Sequence, residues 1–183
     1  MPRLFSGIEL PRLVRERLSV LAAPVQGAKW VAVEDLHLTL RFVGDIERRT
    51  ADDLAHALAG IELPQLRLRI AGLGTFGGRD QRVIWAGVED LGGRGDLEEL
   101  ARQNERAARS IGLAPSQRTW KPHVTLARMR GGREQEVARL LGDYGAFATE
   151  PFTVERFVLF SARPNVGGGP YGVVDAFPLG AGP

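Results

Sequence analysis

One short motif occurs twice in this chain, and its repetition constrains the fold more than any other feature. Residues 36–40 read LHLTL and residues 122–126 read PHVTL. The chain holds only three histidines, and two of them, His37 and His123, open an H-x-T-L tetrapeptide. Both tetrapeptides sit in short apolar runs rich in Leu, Val, Thr and Phe, the signature of β-strands. Side chains alternate between the faces of a strand, so His37 and Thr39 share one face while Leu38 and Leu40 share the other. The same holds for His123 and Thr125 against Val124 and Leu126. Each strand is therefore expected to root itself in a core by one face and to present a His/Thr pair on the other, the two pairs facing each other across a cleft.

The elements around the motifs fall in the same order twice. A strand at 3–9, a helix at 12–23 (apolar at Leu13, Val14, Leu18 and Leu21), the motif strand at 37–43, a helix at 50–61 and a strand at 66–73 form the first half. Residues 29–33 add a short extended piece. The second half runs as a strand at 82–88, a helix from Asp96 as N-cap to Ile111 with Gly112 as C-cap, the motif strand at 123–129, a helix at 134–141 and a strand at 151–162. A closing strand spans 171–177. Equivalent motifs in equivalent half-chains imply an internal pseudo-twofold, each half giving one wall of a groove. The G-x-G-x-x-G at 72–77 follows a strand but precedes another strand rather than a helix, so it reads as a turn and not a dinucleotide cradle. The glycine-rich run at 165–172 reads as a strand connection.

Composition narrows the class. At 183 residues with 44% hydrophobic and 25% charged residues, the chain is an ordinary globular domain. No cysteine is present, which excludes disulfides and thiolate metal sites. No apolar run is long enough to cross a bilayer, and the cytosol is the expected compartment. The net charge of +2 neither demands nor excludes a polyanion, and arginine supplies all but two of the basic residues, Lys29 and Lys121. That bias reflects genomic or thermal composition as readily as phosphate binding, and no function is read from it.

Paired histidines suit phosphodiester chemistry. Imidazole titrates near neutrality, so one ring can be neutral and the other protonated at the same pH. One then takes a proton from the attacking oxygen while the other gives one to the leaving oxygen. Threonine hydroxyls two residues along can bond the non-bridging oxygens and stabilise the charge that develops there. No metal or other cofactor is required. A single H-x-T is more often structural; two in equivalent places favour catalysis.

At these residues the sequence resembles the 2H phosphoesterase superfamily, and within it the bacterial RNA 2′,3′-cyclic phosphodiesterases, also called 2′-5′ RNA ligases. The likeness extends to RLFSGIELP at the start, WVAVEDLHLTLRFVG at 30–44, VIWAGV at 83–88, WKPHVTLAR at 120–128 and the glycine-rich run before Tyr171. The resemblance implies an α+β fold of one domain in two lobes, pseudo-twofold, with two antiparallel sheets lining a central groove and helices outside. It implies hydrolysis of RNA terminal 2′,3′-cyclic phosphate to a 2′-phosphomonoester, with His37 as proton donor and His123 as acceptor, and it singles out Arg128 near the substrate. The residues alone leave the acid and base roles of the two rings open. A monomer acting on RNA ends is expected.

Phe42 and Trp120 flank the motifs and could stack on bases. By simple alternation Phe42 falls on the core face and Arg41 on the histidine face, while Arg128 and Arg130 have the opposite parity to His123. Lys121 is a weaker phosphate contact, and His56 lies on the polar side of its helix. Two other functional readings stand beside the first: a small cyclic nucleotide or ADP-ribose cyclic phosphate as substrate, or 2′-5′ joining of RNA ends, and an RNA-end binding module without chemistry.

Overall fold

The alternation of strand and helix expected from the sequence is realised in a computed structural model that describes residues 1–78 and 80–180. In chain order the elements are β1 (Arg3–Glu9), α1 (Arg12–Ser19), β2 (Ala28–Trp30), β3 (His37–Asp45), α2 (Arg48–Ala59), β4 (Leu66–Gly77), β5 (Gln81–Asp90), α3 (Asp96–Ser110), β6 (His123–Arg130), α4 (Glu134–Asp143), β7 (Phe152–Val154), β8 (Arg156–Ala162) and β9 (Gly172–Pro178). A single 3₁₀ turn at Val33–Asp35 leads into β3.

All strand pairs are antiparallel, and the order across the sheet is β7-β4-β5-β6-β3-β1-β8-β9, with β2 paired to β6. The two sheets expected from the resemblance meet edge to edge. β3 and β6 share one paired position, Leu38 with Val124, which joins them into a single sheet of nine strands. Read outward from this seam, β6-β5-β4 on one side mirrors β3-β1-β8 on the other. Yet β4 belongs by sequence to the first half and β8 to the second. Each half of the chain lends its last repeated strand to the other half of the sheet.

One face of the sheet carries the main core. Leu38, Val124, Ile84, Leu68 and Ile70 are wholly buried there, with Leu100 and Ala108 of α3 against them. Burying an aliphatic side chain of this size stabilises by about 1.5–3 kcal/mol, so Leu38 and Val124 anchor the seam from beneath. α3 packs on β3 and on α2, its inward stripe running Leu97, Leu100, Ala101, Asn104, Ala107 and Ala108. The opposite face carries a smaller apolar cluster of Phe5, Val158, Phe160 and Ala162, with Tyr171 packed on it.

Several local expectations are corrected. The glycines at 72–77 do not turn the chain; they continue β4, which pairs with β5 as far as Gly77–Arg82. Gly74 lies opposite Trp85, whose indole ring occupies the space a Cβ would need, and that close approach is what a glycine in a strand interior permits. Asp96 does not cap α3. Gly95 takes the N-cap place at φ 73°, and Asp90 reaches across to accept the Leu97 N–H at 3.0 Å. The helix at the N-terminus ends at Ser19, short of residue 23. The segment 151–162 divides into β7, paired with β4, and β8, paired with β1.

Candidate active site

Each motif strand carries a one-residue irregularity at the same place. In β3, Thr39 pairs with Gly7 and Arg41 with Ser6, which leaves Leu40 without a partner. In β6, Thr125 pairs with Trp85 and Ala127 with Ile84, which leaves Leu126 without one. A bulged residue reverses the alternation downstream of it. Leu126 and Ala127 are accordingly both buried, and Arg128 emerges on the face of His123. In β3 the bulge brings Phe42 to the face of His37, opposite Phe5 in the ladder, with 49% of its surface exposed. Arg41 turns the other way and is tied to α3: its guanidinium pairs with Glu105 and donates to the Ala114 carbonyl at 2.6 Å. The face assignments that simple alternation gave Arg41, Phe42 and Arg128 are thus reversed.

At the seam the register sets four motif residues on one surface. With Leu38 opposite Val124, antiparallel pairing sets His37 across from Thr125 and Thr39 across from His123. Diagonal neighbours in such a pair lie roughly 7–8 Å apart, within reach of long side chains. The charge of His123 is felt at His37, and that of Arg128 at both rings.

The two imidazoles are held alike. His37 donates Nδ1–H to the Asp35 carbonyl at 2.7 Å, and His123 donates Nδ1–H to the Lys121 carbonyl at 2.7 Å. A carbonyl only accepts, so these bonds fix the proton on Nδ1 and leave Nε2 as the working nitrogen of each neutral ring. Thr39 Oγ1 lies 3.1 Å from His37 Nε2 and donates to it when the ring is neutral. Aromatic walls flank both rings. Phe5, Tyr171 and Phe160 stand with centroids 4.7, 5.0 and 5.5 Å from His37. Phe76 meets His123 edge-on at 4.9 Å, with Trp85 at 6.2 Å. Burial is the main force on both titrations and pushes both below the ordinary imidazole value, and Arg128 adds to the shift. For His37 the Asp35 carbonyl and carboxylate oppose it; for His123 the Lys121 carbonyl does. Burial raises the Tyr171 phenol.

Two histidines with matched tautomers, each two residues from a threonine on its own strand, are groups chemically able to give and take protons. Residues 8–85 and 90–171 match the LigT-like phosphoesterase family. The chain belongs to that family. An RNA 2′,3′-cyclic phosphodiesterase of Aeropyrum pernix is 38% identical over 136 residues, 73% of this chain and 76% of that protein. Its Escherichia coli counterpart is 33% identical over 129 residues, 69% and 71% of the two chains. Among solved structures, a phosphoesterase superposes with a TM-score of 0.75 at 26% identity, covering 97% of this chain and 98% of its own. Escherichia coli LigT complexed with 3′-AMP gives 0.73 at 25% identity, covering 98% and 99%.

Elsewhere in this LigT-like phosphoesterase, Trp120 is half-buried against the core and donates its indole N–H to the Thr39 carbonyl at 3.0 Å, a strut between the motif strands. Lys121 sets its ammonium 5.2 Å from the Trp85 ring centroid. Arg3 lies over the Phe42 ring at 5.1 Å. His56 is exposed on α2, away from the groove. Among the described residues no cluster of three or more His, Cys, Asp or Glu is placed to hold a metal ion, and no helix is long and apolar enough to cross a membrane. Residue-level reading overlooked the walls, Phe5, Phe76, Trp85, Phe160 and Tyr171, and the contribution of Asp35. For Phe5, Trp85, Phe160 and Tyr171 the available signal was that aromatics recur in the strands predicted to flank the motifs; Phe76 lay in the stretch read as a turn.

Proposed function

We propose that this phosphoesterase hydrolyses the 2′,3′-cyclic phosphate at RNA ends to a 2′-phosphomonoester, without a metal, through His37 and His123. The matched Nδ1 anchors carry the reading: they leave two Nε2 atoms, from opposite sides of the sheet seam, as the proton-transfer groups. His123 takes a proton from water as the water oxygen bonds to phosphorus. The bond from phosphorus to the 3′ oxygen breaks, and His37 delivers its Nε2 proton to that oxygen. The product is a 2′-phosphate beside a free 3′ hydroxyl, and proton exchange with solvent returns the two rings to their starting states. Thr39, Thr125 and Arg128 hold the non-bridging oxygens, donor groups suited to a charge that grows as the water attacks. Phe42, exposed on the groove face past the bulge, offers a ring to a base of the RNA body; Trp120 contributes by holding the motif strands together. The relatives named RNA 2′,3′-cyclic phosphodiesterase support this substrate.

We further infer a single domain built of two lobes, acting as a monomer in the cytosol; the mirrored strand order on either side of the seam supports the two-lobed description. The decisive experiment incubates purified protein with an oligonucleotide ending in 2′,3′-cyclic phosphate, in chelator, and identifies the phosphomonoester formed. Conversion to the 2′-phosphate supports the proposal. A requirement for divalent ion, or an unchanged oligonucleotide, overturns it. Running the cyclic mononucleotide and an ADP-ribose cyclic phosphate in parallel ranks the substrate classes.

A further inference from the structure

We propose that Asp35 is a positioning residue that latches the 163–171 connection over His37, an assignment that rests on the reading of His37 as a reacting group. Asp35 makes two bonds with different ends of its own atoms. Its backbone carbonyl accepts the His37 Nδ1–H at 2.7 Å, and its carboxylate Oδ1 accepts the backbone N–H of Tyr171 at 3.1 Å. One residue therefore ties the first motif to a segment that lies beyond β8. Tyr171 then sets its ring edge-on to His37, centroids 5.0 Å apart at 83°. Gly169 crosses the Asp35 carboxylate so closely that a Cβ there would strike it. The far end of the same connection is held by a second carboxylate, Asp45, which accepts the Asn165 N–H at 3.1 Å.

Of the three rings around His37, Phe5 and Phe160 sit on strands, whereas Tyr171 sits on this connection. Its place is thus set by the latch on one side and, on the other, by the ladder that begins one residue later, where Gly172 pairs with Ser161. His123 has no such device. The residue that accepts its Nδ1–H is Lys121, whose side chain lies over Trp85 instead of holding a later segment. The latch adds to what distinguishes the two histidines, because it governs how much water reaches His37 alone. The groups that face His37 are Asp35, Arg128, His123 and Tyr171, and Glu9 pairs with it across β1 while holding Arg156.

Three variants test the assignment: Asp35→Ala, which removes the acceptor; Asp35→Asn, which keeps an acceptor without charge; and Gly169→Ala, which pushes the connection off an intact carboxylate. Two readouts are independent of turnover: hydrogen exchange at the Tyr171 amide, and the NMR titration of His37 with His123 as internal reference. Asp35→Ala and Gly169→Ala are both expected to speed Tyr171 exchange at least about tenfold, and Gly169→Ala, which keeps the carboxylate's charge, to raise the His37 titration toward the ordinary imidazole value, because water then reaches the ring. Asp35→Asn is expected to keep the amide protected and to lower the His37 titration, because only a negative charge is lost. Wild-type Tyr171 exchange in Asp35→Ala, or displacement of His37 in the same direction by Gly169→Ala and Asp35→Asn, overturns the assignment. Should Asp35→Ala fail to fold, Gly169→Ala applies the same displacement with the carboxylate in place. Absence of wild-type turnover on a cyclic-phosphate oligonucleotide would overturn the catalytic reading and leave these two readouts untouched.

Discussion

Burial does most of the electrostatic work on the two imidazoles, and it does so against hydrogen bonds that favour the charged form. Two outcomes follow for single side chains. Replacing either His37 or His123 by Ala is expected to lower kcat/KM on a cyclic-phosphate oligonucleotide by about 10²–10⁴-fold. The double variant should fall little further, because the two groups act on one transition state; steady-state kinetics in chelator measures both. The second outcome concerns stability. Both rings titrate lower in the folded protein than in the unfolded chain, where imidazole sits near about 6.5. The unfolded state therefore binds more protons in the window below about pH 6.5, and stability rises with pH through that window. The contribution is complete above the unfolded value and is lost as pH falls through the folded ones. Calorimetric Tm between pH 7.5 and 5 should decline in the wild type, and replacing both histidines by Gln should flatten the decline.

At the scale of elements, the bulges at Leu40 and Leu126 and Gly74 in β4 decide what reaches the groove. Gly74 leaves room for the Trp85 ring that stands beside His123. Gly74→Ala forces that ring out of its place and is expected to cost about 1–3 kcal/mol, as overpacking does. A lowered urea midpoint together with altered Trp85 fluorescence would register it, and unchanged values for both would contradict it. The motif strands and all four helices were legible because apolar periodicity is a local signal. The bulges were not, since an unpaired residue is defined by the ladder opposite it, and the alternation rule sent Arg41, Phe42 and Arg128 to the wrong faces. Glycine frequency made 72–77 look like a turn, when the reason for a glycine there is a tryptophan on the neighbouring strand. Tyr171 and Asp35 carry no signal in spacing: 136 residues separate the two ends of their hydrogen bond.

For the molecule as a whole, the strand order means that neither half-chain owns a complete half-sheet. β4 finds its partners in β5 and β7, and β8 finds its partners in β1 and β9. The β4–β7 and β1–β8 pairings join strands far apart in sequence, and such pairings are slow to form because the loop between them must be closed first. Cutting the chain between Gly78 and Gln81 should give two fragments that are each unfolded by circular dichroism and that recover strand content, and turnover, only when mixed. Independent folding of either fragment would contradict the exchange. The repeat of strand order was foreseeable from the doubled motif; the exchange was not, since it depends on which edges meet.

That exchange also says something about origins. A polypeptide of half this length, carrying one motif, would leave its outermost strand with no neighbour of its own. It could complete the same sheet only by trading that strand with an identical copy, and the resulting closed dimer would hold two equal histidines about a true twofold axis. Joining the copies into one gene would free each to diverge, and a carboxylate that grips a late connection on one side only is a difference that no symmetric pair could hold.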